Sequence, residues 1–201
     1  AILRFALRLA ELESADVDHI ATISTWVTAR REAAVKFATV MAREIAIARE
    51  DIDAAAQIAR EWADRPRDVG HADLAAEAIQ LIRQLAEDAA RANQATDITM
   101  LAITGASAMS AAAEADLRDA VGRCRQALMA AREAAREAVD LPAAIAAATT
   151  VINISAMAAT AAEISGAAWE QINDKIGELT VYKAGAAEAD QAAVNIVVIT
   201  P

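Results

Sequence analysis

Apolar and charged residues recur along this chain at the helical period. In segment 2–13, Ile2, Leu3, Phe5, Leu9 and Leu12 share a broad face opposite Arg4, Arg8 and Glu11, which predicts an amphipathic helix. Ser14 is placed to cap the helix that follows. From Ala15 to Asp64 neither Gly nor Pro interrupts the pattern. Ile20, Val27, Met41, Ile45 and Ile52 fall on one side, and Trp26, Phe37, Val40, Ile47, Ile58 and Trp62 widen it. Glu32, Lys36, Arg43, Arg49, Glu50 and Glu61 lie opposite. So wide an apolar face predicts two neighbours. Unbroken, segment 15–64 would extend about 75 Å at roughly 1.5 Å per residue, and a kink is expected near Glu50 to Asp53.

Arg65-Pro66-Arg67-Asp68-Val69-Gly70 reads as a turn, since Pro ends a helix and Gly lets the chain reverse. Helices are then expected over 71–92, with Glu87 placed to pair with Arg91, and over 97–139. Asn93 to Thr96 forms a break whose Thr96 or Asp97 caps the second of them. Asp140-Leu141-Pro142 marks the next boundary, opening a helix over 142–179. Segment 180–201 ends in VNIVVITP, whose β-branched run leaves its class open. With no linker in view, the expectation is one helical domain over 1–201.

Two stretches carry no charged face. Between Pro142 and Ala162 there is no charged residue, and Ile98 to Ala113 has the same character. A membrane span is disfavoured for the first: only Ile145, Val151, Ile152, Ile154 and Met157 are large and apolar, at about −0.5 kcal/mol each. Asp140 and Glu163 bracket the run where a basic or aromatic belt would be expected. A helix apolar all round is enclosed by others, so these two segments are expected to be uncharged central helices in a bundle of long, Ala-rich, mostly antiparallel helices. Thr149, Asn153 and Thr160 project within about 40° of each other on the helical wheel. They are the candidate ligand-binding residues, as the polar lining of a pocket. The alternative, which is favoured, has Thr bonding its own helix carbonyls and Asn153 pairing with a neighbouring helix.

Composition sharpens the fold class to all-α. Hydrophobic residues make up 56% of the chain and aromatics only 3%, so alanine carries the apolar content. Six Gly and three Pro are too few for a protein of many short strands. A net charge of −10 argues against nucleic acid as a partner and disfavours anionic membranes. The single Cys124 excludes an internal disulfide. The N-terminal stretch AILRFALRLAELE lacks the regions of a signal peptide and reads as a helix. The expected protein is soluble and cytoplasmic, a monomer or a homo-oligomer through helix faces.

Catalytic chemistry is not in view. His19 and His71 lack the spacing of helical metal sites, and no cofactor or metal is expected. Cys124 lies between Arg123 and Arg125, which can lower a thiol pKa, but neighbours on a helix point apart and an inert packed thiol is favoured. Glu133, Arg136 and Glu137 read as a solvated charged face. No phosphate loop or nucleophile elbow is present, and the chain is not expected to be an enzyme.

The string NISAMAATAAEISGAAWEQI resembles the coiled-coil signalling segments of bacterial chemoreceptors over about 20 residues, without a sustained heptad. The long helix, Pro hinge and second helix over 16–92 are similar in pattern to phasins, the amphipathic proteins that coat polyester granules. The agreement of local signals with one helical fold resembles that of a computationally designed, de novo helical protein. The expected function is a structural helical scaffold. The alternatives are an amphipathic surface coat of the phasin or apolipoprotein type and a bundle binding a small apolar ligand.

Overall fold

The computed structural model describes residues 2–65, 69–137 and 140–199, and these form three long helices: α1 (Ile2–Ala63), α2 (Val69–Glu137) and α3 (Leu141–Ile199). The fold is an all-α bundle. The breaks expected inside α1 and α2 are absent. Ser14 does not cap a helix; it is buried within α1. Asn93 to Thr96 lies inside α2, where Thr96 is buried and its hydroxyl donates to the Ala92 carbonyl at 2.8 Å. Burial against neighbouring helices outweighs the modest helix propensity of these polar residues. The helix also continues through Glu50 to Asp53. Residues 66–68 of the expected turn, and residues 138 and 139 at the end of the helix expected over 97–139, lie outside the described residues.

The start of α3 is capped as the sequence implies, with a shift of one position. The Asp140 carboxylate accepts from the Ala143 backbone N–H at 3.1 Å, so Leu141 is the first helical residue and Pro142 the second. The β-branched tail is helical as far as Ile199, with Ala193 fully buried and Ile196 and Val197 packed on the core.

The chain divides into two compact units, the first built from Ala1–Ala33 and Gly105–Ile172 and the second from Ala34–Thr104 and Asn173–Pro201. In the first unit, Glu11 pairs with Arg132 and Asp18 with Arg125, so α1 and α2 run antiparallel. In the second, Thr180 donates to the Met41 sulfur and Lys183 pairs with Glu44, so α1 and α3 run parallel. The core of the first unit gathers Val17, Leu117, Val151 and Ile154 among many alanines. That of the second gathers Ile52 and Ile82 with Ala55, Ala89 and Ala193.

Burial recurs every seventh residue. In α1 the series is Ala10, Val17, Ser24, Arg31, Ala38, Ile45, Ile52 and Ala59. In α2 it runs from Ala75 through Ile82, Ala89, Thr96, Ile103, Ser110, Leu117 and Cys124 to Ala131. In α3 it runs from Val151 through Ala158, Ser165, Ile172, Leu179 and Ala186 to Ala193. A second set three residues on, such as Ile154, Ala161 and Ala168 in α3, completes the alternating spacing of a coiled coil. The heptad that hydrophobicity hides, including in NISAMAATAAEISGAAWEQI, is therefore present. About half of its places are Ala, Ser or Thr, which give little contrast with the outer residues, and the rest are mainly Val, Ile and Leu.

This register divides the large residues expected on the apolar side of α1: Met41, Ile45, Ile52 and Trp62 are buried as expected. Phe5, Trp26, Phe37, Val40, Ile47 and Ile58 of α1 are exposed while alanines point inward. The uncharged segments are not enclosed: Ile98, Leu101 and Met109 of α2 and Ile145, Ile152 and Met157 of α3 are exposed. With only three helices packed together, each keeps an outer face, whatever its composition. Ala158 has no exposed surface, so Ala158→Leu is expected to overpack the seam and cost about 1–3 kcal/mol, with a smaller loss for Ala159→Leu at a partly buried position. Urea unfolding of the two variants checks the order.

Candidate functional site

The most heavily polar part of the interior lies in the first unit, where the heptad seam of each helix carries a polar residue: Arg31 on α1, Ser110 on α2 and Ser165 on α3, all buried. Small hydroxyl side chains on two helices leave room for the long guanidinium stem of the third. Glu114 is one helical turn beyond Ser110 and shares its face, which brings a carboxylate to the same level. It is buried too.

The Arg31 guanidinium donates through Nη1 to the Ser107 carbonyl at 2.9 Å and through Nη2 to Glu114 Oε2 at 3.3 Å. Ser110 donates to the other carboxylate oxygen, Oε1, at 3.1 Å. Having one proton, Ser110 must then accept from Ser165, whose Oγ is 3.0 Å away. The Glu114 backbone carbonyl accepts from Arg118 Nε at 3.2 Å. Both carboxylate oxygens are thus satisfied, whereas Arg31 Nε is buried without a hydrogen-bond partner. A paired, hydrogen-bonded ion pair at this depth contributes little net stability, because desolvation offsets the attraction. Its physical effect is to penalise any sliding that separates Arg31 from Glu114.

Beside this layer, α1 and α2 frame a groove of about 750 Å³, within the size range of small-molecule sites. Ser24, Thr25, Thr28, Arg31 and Glu32 line one wall; Glu114, Leu117, Arg118, Val121 and Arg125 line the other. Thr25 and Thr28 donate their hydroxyl protons to the carbonyls of Ala21 and Ser24 in their own helix, so they present only acceptor oxygens to the groove. Arg125 is held by Asp18 at 3.1 Å. The lining contains cations, carboxylates and hydroxyls but no imidazole or thiol.

The residues singled out from sequence lie elsewhere. Thr149, Asn153 and Thr160 are all exposed on α3 and do not line this groove. Thr149 donates to the Ile145 carbonyl at 2.9 Å and Thr160 to the Ala156 carbonyl at 3.2 Å. The stripe is real as a wheel projection but faces outward, because the heptad turns Val151, Ile154 and Ala158 to the inside. Asn153 accordingly makes no interhelical pair of the kind expected. Cys124 is buried, and burial pushes its thiol pKa up; charges on Asp18 and Glu13 add to the rise, while a hydrogen bond with Ser14 and the Arg125 cation oppose it. His19 and His71 are exposed, and no group of three or more His, Cys, Asp or Glu that would hold a metal occurs among the described residues. Glu133 and Arg136 are exposed; the side chain of Glu137 lies outside the described residues.

The Arg31 layer escapes sequence reading because Arg31 looks like one more surface charge beside Arg30 and Glu32. Its signal is positional: it occupies the heptad place of Ser24 and Ala38. Comparison with protein families, curated proteins and solved structures finds no match for the chain.

Removing the carboxylate strands the guanidinium, so Glu114→Ala is expected to cost about 3–5 kcal/mol, whereas replacing the pair together, as Arg31→Met with Glu114→Leu, is expected to be neutral or stabilising. Chemical denaturation of the single and double variants reads the difference. Asn153→Ala is expected to stay within about 0.5 kcal/mol of the parent, as for other surface changes, in the same measurement.

Proposed function

We propose that the chain is a non-catalytic helical scaffold, a coiled-coil module that works through the faces of its helices. The observation that carries this reading is the small-residue heptad seam that occupies the inside of α1, α2 and α3. The interior is used for close packing, and the buried Arg31–Glu114 ion pair has its charges turned on each other. A scaffold role makes no demand on natural or designed origin. The excess of acidic groups supports a partner other than nucleic acid.

A second reading, the amphipathic coat, is favoured by the large apolar residues on the outside, among them Phe5, Phe37 and Leu101. Both α2 and α3 contain stretches long and apolar enough to cross a membrane, of which 33% and 28% are buried. We nevertheless read the protein as water-soluble rather than spanning. The polar Thr149, Thr150, Asn153 and Ser155 interrupt the apolar run of α3 and oppose insertion.

The two readings separate on neutral phosphatidylcholine vesicles. A scaffold should melt cooperatively without lipid, keep its circular dichroism when vesicles are added, and remain below them in a flotation gradient. Co-flotation together with a shifted melt would support the coat instead.

A further inference from the structure

We propose that α1 of the first unit pairs antiparallel with α1 of a second copy of this chain, through an outer seam running from Ile2 to Arg30. The inference rests on the scaffold reading and names its partner. It begins from a second heptad on α1. Ile2, Phe5, Leu9, Leu12, Asp16, His19, Ile23, Trp26 and Arg30 follow one another at alternating spacings of three and four. This series precedes the inward series by one residue throughout, so it sits about 100° around the same helix at 3.6 residues per turn. Ile2, Phe5, Leu12, Ile23 and Trp26 are each at least half exposed. A strict alternating seam is the surface that accepts another helix by knobs-into-holes packing, and α2 and α3 already occupy the inner seam.

The chemistry of the seam says which helix. Its apolar residues lie toward both ends, with an acid and an imidazole at its centre. Turned end for end against itself, it sets Asp16 opposite His19 of the second copy, Leu12 opposite Ile23, Leu9 opposite Trp26 and Phe5 opposite Arg30, each pair occurring twice about a two-fold axis. Arg30 already stands over the Trp26 ring at 3.9 Å, and Phe5 of the second copy would bring another aromatic face to the same cation. A parallel arrangement would instead oppose Asp16 to Asp16 and Arg30 to Arg30. The five half-exposed apolar residues, at roughly 100 Å² each, give about 1,000 Å² over the two copies, the size of a weak, reversible interface. That size fits a micromolar dimer. The charged centre and narrow stripe suit a helix better than a lipid surface.

Sedimentation velocity over a concentration series tests the pairing. The parent protein is expected to shift from monomer to dimer, and Leu12→Glu with Trp26→Glu is expected to weaken the dimer by about tenfold or more while the melt stays cooperative. Leu101→Glu with Met129→Glu, on α2, should leave the dimer intact. Orientation is read by oxidation: Asp16→Cys should cross-link at the centre of the dimer, and Arg30→Cys, about 37 Å from its counterpart at 1.5 Å per residue, should not. Cross-linking through Arg30→Cys would overturn the antiparallel pairing. A parent that stays monomeric with a cooperative melt would overturn the dimer and leave the scaffold standing. Vesicle uptake abolished by the Leu12→Glu, Trp26→Glu variant would overturn both.

Discussion

Close approach of three backbones through small side chains is the constraint on which this fold depends. Along the inner seams, residues such as Ala10, Ala38, Ala158 and Ala193 are fully buried and offer nothing beyond a Cβ. Dispersion contacts then come from backbone and Cβ atoms of adjacent helices, and they fall off steeply with any gap. Larger residues share the seams, among them Met41, Ile45, Ile52, Ile103, Ile172 and Leu179, and Ile52 packs among Ala55, Ala89 and Ala193. Five of the glycines take no part in this contact, since a Cβ on Gly105, Gly122, Gly166, Gly177 or Gly185 would meet nothing within 4 Å. The packing combines alanine and serine with branched apolar residues.

A seam that mixes small and branched apolar knobs, as in Ala10, Val17, Ala38 and Ile45, penalises sliding by one heptad only through packing. The polar layer of the first unit adds a penalty of another kind. Arg31, Ser110, Glu114 and Ser165 are hydrogen-bonded to one another in one register, and a slip of α2 by one heptad would set Arg31 at the level of Ile103 or Leu117. In the second unit the comparable marks lie nearer the surface: Thr99 donates to Glu178 at 3.4 Å, Lys175 also binds Glu178, and Lys183 binds Glu44. Buried polar groups serving alignment more than stability is a known use of such layers in coiled coils.

The class of fold was legible in the sequence because helical periodicity and the scarcity of Gly and Pro leave little else. Element boundaries were legible where the cue was covalent or a cap, as at Asp140. They were misread where the cue was only a polar cluster, as at Ser14 and at 93–96, since propensity there is overruled by burial. The inside and outside of the helices were the hardest to read. Large side chains dominate any hydrophobic projection, so Phe5, Trp26 and Phe37 pull the apparent core face away from Ala10, Ser24 and Ala38, which are buried. The same bias placed Thr149, Asn153 and Thr160 in the interior, whereas the heptad of buried positions turns them outward.

An interior in which alanine is the commonest residue has a thermal consequence. The heat capacity change on unfolding tracks newly hydrated apolar area, at about 12–15 cal/mol/K per residue in ordinary domains. Here the alanines contribute little area each, and Phe5, Phe37, Leu101 and Met129 are already in contact with water in the folded chain. The heat capacity change should therefore be low for the length of the chain. The curve of stability against temperature flattens in proportion, so cooling erodes the fold less than it would a bundle with a leucine core.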